Sequence, residues 1–150
     1  MTHGFDTGFL VAAEVQGHPE HEVARARLAE MRRSGDRFAL APQVLAEFVH
    51  VVTDPKRFTE PLTMEAAIER AEVWWNSPEV ETLAPEGEAV RQFFAWMRAF
   101  RLGRKRILDT LLAATFREAG ITSILTTNAR DFAVLGGFVC LTPTTAPTER

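Results

Sequence analysis

Short apolar runs of strand length alternate with longer segments of helical periodicity along this chain, and no hairpin-turn signal joins two of the runs. Antiparallel neighbours can be joined by a tight turn, whereas parallel strands need a crossover, usually a helix, which leaves the sheet buried on both faces. The pattern therefore predicts an α/β protein: a central parallel sheet of four to five short strands between two layers of helices. Residues 38–40, 80–83, 121–125 and 137–141 read as strands, and a first, weakly signalled one ends at Phe5-Asp6, because Thr2-His3-Gly4 makes a poor strand start. Between them, helices are expected over 7–13 and over 18–35, with Val23, Leu28 and Met31 inward. A third runs over 42–52 behind Pro42, a fourth follows an N-cap at Thr63, and a fifth spans 86–100. The Trp and Phe residues between 63 and 100 read as core rather than as a partner groove, although a dimer interface could use the same surface.

The most informative stretch is 103–132, GRKRILDTLLAATFREAGITSILTTNARDF. Ile107, Leu108, Leu111, Leu112 and Phe116 recur at helical spacing, Gly120 supplies the stop, and a strand follows. Asp109 falls in the first turn of that helix, where unpaired amides and the dipole favour an anion. Asn128 and Asp131 follow the strand's carboxyl end. Asp6 ends the first strand and Glu47 lies in the third helix, beside Val44 and Val51 at helical spacing, so its carboxylate needs a cation or a proton.

If the strands are parallel, their carboxyl ends and the helix starts share one edge, where ligands of open α/β sheets gather. Two carboxylates about 4 Å apart repel by about 4 kcal/mol at an effective dielectric near 20, so such a cluster calls for a divalent ion or shifted pKa values. Oxygen donors without Cys or His favour Mg²⁺ or Mn²⁺. A hard cation in a cleft of this kind suits phosphodiester hydrolysis. Arg98, Arg101, Arg104, Lys105 and Arg106 place five positive charges in nine residues directly before Asp109. They read either as a solvated helix end or, with Arg130, as holders of flanking phosphates.

The net charge of −3 argues against binding nucleic acid by bulk electrostatics but leaves room for such a local patch. No apolar run approaches the roughly 18 residues of a membrane span, and the start lacks the positive region of a secretion signal, so no membrane association and a cytoplasmic location are expected. The lone Cys140 excludes an intrachain disulfide and reads as a packed strand residue.

Other chemistries fit less well. Asp6-Thr7-Gly8 is also the tripeptide of aspartic proteases, which need two such turns on an all-β frame. Glu47 and His50 have the spacing of a di-iron helix, but a second copy is missing, and His50 reads as lining its helix or pairing with Glu47. An Asp-dependent phosphatase would want an Asp-x-Asp pair that Asp6 lacks.

Asp6-Thr7 after a short strand, the run Ala41-Pro42-Gln43-Val44-Leu45-Ala46-Glu47-Phe48, the run Asp109-Thr110-Leu111-Leu112-Ala113-Ala114 and the run Leu125-Thr126-Thr127-Asn128-Ala129-Arg130-Asp131-Phe132 together resemble the PIN-domain ribonucleases, most of all the VapC-type toxins of toxin-antitoxin modules. The resemblance implies a three-layer α/β/α sandwich, expected over residues 1–142, and the polar, proline-broken PTTAPTER reads as a tail at 143–150. The resemblance also implies Mg²⁺-dependent endoribonuclease activity, an RNA substrate, a cognate antitoxin and a homodimer. Carried over by residue, Asp6, Glu47 and Asp109 match the family's first three acids, and the fourth falls on Asn128 or Asp131. Asp6 and Asp109 are then the direct metal ligands, and Asn128 can ligate through its carbonyl. Glu47 ligates through water or positions the nucleophile, with Asp131 doing so from the other side. Thr7 and Thr126 orient the carboxylates. A catalytically silent PIN-like module that binds RNA or a protein is the alternative.

Overall fold

The computed structural model describes residues 1–145, so the expected polar tail at 143–150 lies outside the described residues from position 146 onward. Five parallel strands, β1 (Thr2–Phe5), β2 (Arg37–Leu40), β3 (Val80–Thr82), β4 (Ser123–Leu125) and β5 (Val139–Leu141), form one sheet in the order β3-β2-β1-β4-β5. Around it run α1 (Thr7–Glu14), α2 (His21–Arg33), α3 (Pro42–Val52), α4 (Met64–Trp75), α5 (Gly87–Ala99), α6 (Ile107–Glu118) and the short α7 (Arg130–Ala133). This is the layered parallel architecture that the alternation of runs predicts. No helix among the described residues is long and apolar enough to cross a membrane.

The core lies where β1 and β2 meet the helices. Phe5, Phe38 and Trp74 pack ring against ring, with Phe5 stacked on Phe38 at 5.2 Å and edge-on to Trp74 at 5.1 Å. The Trp74 indole also donates to Glu14 Oε1 at 2.7 Å, satisfying its one polar atom as burial requires. β1 is central despite its weak composition, because His3 is buried against Ser123 Oγ at 2.7 Å and Asp36 Oδ2 at 3.1 Å. Its low strand propensity is overridden by tertiary partners.

Two helices stop in the same way. After α2 and α6, Gly35 and Gly120 take φ of 78° and 75°, a conformation open to glycine at little cost. Asp36 N bonds back to Met31 O and Ile121 N to Phe116 O, closing each last turn. That return bond makes Ile121 part of the helix stop, so β4 begins at Ser123 rather than at 121. Likewise Gly136 and Gly137, both at positive φ, delay β5 to Val139.

Several expected core positions face solvent instead. Val23 is exposed while Ala24, Arg27, Leu28 and Met31 make the buried face of α2, so the apolar stripe is rotated and includes an arginine whose Nε has no hydrogen-bond partner. Ile107 and Leu108 are exposed because they form the first turn of α6, and its buried positions begin at Thr110. In α5 the buried line is Ala89 and Trp96, two turns apart, which leaves Phe94 and Phe100 exposed. His50 is exposed too, rather than lining α3.

Candidate active site

The carboxyl ends of β1, β2 and β4 share one edge by their parallel register, and the residues that follow them build a cleft of about 420 Å³. Asp6, Thr7, Glu47, Asp109, Asn128 and Asp131 all line it. The side chains come from positions as far apart as 6 and 131 and converge because helix starts and strand ends meet there.

Asp6 leaves β1 as the N-cap of α1. Its Oδ1 accepts from Thr7 N at 2.9 Å, and its Oδ2 accepts from Thr126 Oγ1 at 2.7 Å. Thr126 Oγ1 also accepts from Asn128 N at 3.0 Å, so one buried hydroxyl fixes both Asp6 and the turn after β4. Thr7 Oγ1 donates to Glu47 Oε2 at 2.9 Å, tying α3 to α1. Glu47 is exposed and meets a hydroxyl where its place on an apolar helix predicts a cation or a proton. Asp109 stands half-buried in the first turn of α6.

Asp131 is held on both oxygens. Asn128 Nδ2 donates to Oδ2 at 2.6 Å, which leaves the Asn128 carbonyl oxygen turned away from this bond. Arg106 Nη1 lies 2.6 Å from Oδ1, a charge contact whose angle falls short of a hydrogen bond. Arg106 is thereby engaged with Asp131 from beside the cleft, whereas Arg104, Lys105 and Arg130 are exposed, and none of the four lines it.

The electrostatics follow from this crowding. Burial, followed by the charges of Asp6, Asp131 and Glu47, pushes the Asp109 carboxyl up to about 7. Burial also lifts Asp6 to about 6, with Glu47 and Asp131 adding to the rise and the bonds from Thr126 and Thr7 opposing it. Both folded values lie above the ordinary 3.8, so the folded chain binds protons that the unfolded chain releases. Stability from these groups is full below pH 4 and is lost as pH rises through about 6 to 7. In EDTA, the Tm is expected to fall between pH 5 and pH 8, and less steeply in Asp109→Asn. A Tm that is flat or rising over that interval would contradict the raised pKa values that burial and the neighbouring charges give these two carboxyls.

The donor set is all oxygen, as Mg²⁺ and Mn²⁺ require. Among the described residues no three His, Cys, Asp or Glu are already gathered around one ion position. Three of the carboxylates, Asp6, Glu47 and Asp131, are turned to Thr7, Thr126, Asn128 and Arg106 instead. A Mg²⁺ ion takes only one or two protein carboxylates and keeps several waters, so the arrangement fits such an ion.

His18, Arg57 and Phe58 also line the cleft, and no motif marks them; the helix expected from residue 18 starts only at His21, which leaves His18 in the connection before it. They sit in the connections before α2 and after α3, where only the folded chain reveals the proximity.

A family model described as the PIN domain matches residues 5–137. Ribonuclease VapC24 of Mycobacterium tuberculosis is 28% identical over 131 residues, covering 87% of this chain and 89% of that protein. Among solved structures, M. tuberculosis VapC20, described as a Sarcin-Ricin loop cleaving toxin, shares the fold with a TM-score of 0.69 at 20% identity, over 93% of this chain and 97% of that one. VapBC-1 from nontypeable Haemophilus influenzae does so at 0.67 and 16%, over 97% and 100%. With its family model running from β1 to the residues just before β5, the chain belongs to the PIN-domain family.

Proposed function

We propose that this chain is a divalent-metal-dependent endoribonuclease, the toxin of a toxin-antitoxin pair, acting at the cleft lined by Asp6, Glu47, Asp109, Asn128 and Asp131. The observation that carries this reading is the convergence of those five oxygen-bearing side chains in one cleft, with two carboxyls raised by burial and by their neighbours' charge. The likeness to Ribonuclease VapC24 supports RNA as the substrate, and the toxin-antitoxin complexes among the structural relatives support an antitoxin partner.

Asp6 and Asp109 would hold Mg²⁺ or Mn²⁺, with the Asn128 carbonyl and Asp131 beside them. The ion, when bound, supplies the Lewis acidity and charge neutralisation that phosphodiester hydrolysis needs. Thr126 and Thr7 keep the Asp6 carboxylate in one orientation. Glu47, anchored at Oε2 by Thr7, takes up at Oε1 the proton of the water that attacks phosphorus, as the bond from phosphorus to the leaving ribose oxygen breaks and that oxygen takes a proton from solvent. Arg106 and Asn128 hold Asp131 so that its charge adds to the field at the cleft without drifting from it. Residues 1–142 form the nuclease unit in this reading, working in the cytoplasm as a homodimer.

The purified protein is expected to cut RNA with Mg²⁺ or Mn²⁺, to stop on addition of EDTA, and to release no inorganic phosphate from small monoesters. Its expression without an antitoxin should arrest growth. RNA binding without cleavage under either metal would instead identify a silent RNA-binding module, and phosphate release would favour a phosphatase.

A further inference from the structure

The acids account for only part of the cleft's lining. His18, Arg57 and Phe58, which carry an imidazole, a guanidinium and an aromatic ring, line the same space. Their backbone is fixed. Asp54 anchors the turn after α3: Lys56 N donates to its Oδ1 at 2.8 Å, and Arg57 N and Phe58 N donate to its carbonyl at 3.1 and 3.2 Å. Leu62 N closes the loop on Val52 O at 2.9 Å. Phe58 is half-buried against the core, so its ring is held without being hidden.

The other two side chains are posed for an anionic, hydrogen-bonding ligand. Glu20 N donates to His18 Nδ1 at 3.0 Å, so the neutral ring carries its proton on Nε2, which can then only donate. Arg57 is exposed, and its Nε stands 3.6 Å from Asp54 Oδ2, a weak surface pair that can be traded for a stronger phosphate contact. A cleft rich in carboxylates repels a polyanion, so a cation in its lining is what a nucleic-acid strand would need.

We infer that His18, Arg57 and Phe58 form the seat of the nucleotide beside the bond that is cut, an inference that rests on the RNA-cleaving reading above. The base stacks on Phe58, Arg57 pairs with the adjoining phosphate, and His18 Nε2 donates to an oxygen of that phosphate. The three are binding residues. They fix where along the strand the acids act, and the chemistry itself stays with the acids.

The test is steady-state cleavage of a short RNA oligonucleotide by the full chain, with binding of the labelled oligonucleotide measured in an Asp109→Asn background. Stacking on an aromatic ring is worth roughly 5-fold to 150-fold per base, so Phe58→Leu is expected to raise KM and Kd about tenfold with kcat within about threefold. Phe58→Trp should restore both, which a merely structural role would not require. Arg57→Gln should weaken binding similarly and reduce the slope of log Kd against log salt by about 0.7, the share of one phosphate on a single strand. His18→Gln should raise KM several-fold.

Unchanged KM and Kd in all three variants of a protein that does cut RNA would overturn the seat and leave the nuclease reading intact. A fall in kcat with KM and Kd unmoved would overturn it as well. A wild-type chain that neither cuts nor binds the oligonucleotide would overturn the nuclease reading itself.

Discussion

Asp109→Asn is expected to lower the rate of RNA cleavage by about a thousandfold, the upper range for losing one preorganised electrostatic group, while raising the Tm of the metal-free chain at pH 8. The substitution is nearly isosteric, so the first turn of α6 keeps its shape and only a charge is lost. That charge is under strain. Although a helix start favours an anion, burial and the three nearby carboxylates hold the Asp109 carboxyl up to about 7. A group so poised is close to half protonated at neutral pH, and a divalent cation would shift it fully to the anion. Removing it should therefore relieve repulsion in the absence of metal and remove a ligand in its presence. Single-turnover cleavage with Mg²⁺ and thermal melts in EDTA read the two effects separately. Cleavage within tenfold of wild type would show that Asp109 holds nothing essential.

Gly4→Ala is expected to destabilise the fold by about 3 kcal/mol, the upper range for overpacking a core. Gly4 lies in the central strand, in register with Ala39 and Ile124. A Cβ there would stand 2.6, 2.6 and 2.8 Å from three ring atoms of Phe116, which is itself fully buried and cannot swing away. Out of a typical total of 5–15 kcal/mol this is a large share, and it should lower Tm by about 6 to 12 °C for a chain of this size. Two residues beyond Gly4 stands Asp6, so displacement of β1 should also cost activity. Urea denaturation of Gly4→Ala, Phe116→Leu and the double variant checks the cause: a steric origin requires the double variant to be less destabilised than the sum by 1 kcal/mol or more. Strict additivity would point to backbone propensity instead.

How far the sequence revealed this molecule differs from part to part. The runs at 38–40 and 80–83, the helix behind Pro42 and the N-cap at Thr63 follow from local rules, and the structure has β2, β3, α3 and a Thr63 hydroxyl accepting from Ala66 N. Local rules fail where a residue answers to a distant partner. β1 looks weak because its Gly4 makes room for Phe116 and its His3 serves Ser123 and Asp36, contacts across more than thirty positions. Periodicity misplaces Val23 because it finds that a stripe exists but not how the helix is turned on the sheet, and it misplaces Ile107 because it does not mark where along α6 the burial begins. At the cleft, the order of acids along the chain suggested convergence. The clamp of Asp131 by Arg106 and Asn128 was invisible, since a run of five cations gives no sign of which one turns inward. Arg57 and Phe58 lie in a connection whose sequence carries no period, and His18 stands just ahead of α2, where the helical period over 18–35 starts three residues too early.

Mn²⁺ binding, followed by titration calorimetry on the wild-type chain and on Asp6→Asn and Asp109→Asn, tests the account at its centre. A single class of stoichiometric sites in the wild type, weakened at least tenfold by each substitution and competed by Mg²⁺, is the expected result. Equal Mn²⁺ binding by all three proteins, or none by any of them, would contradict it.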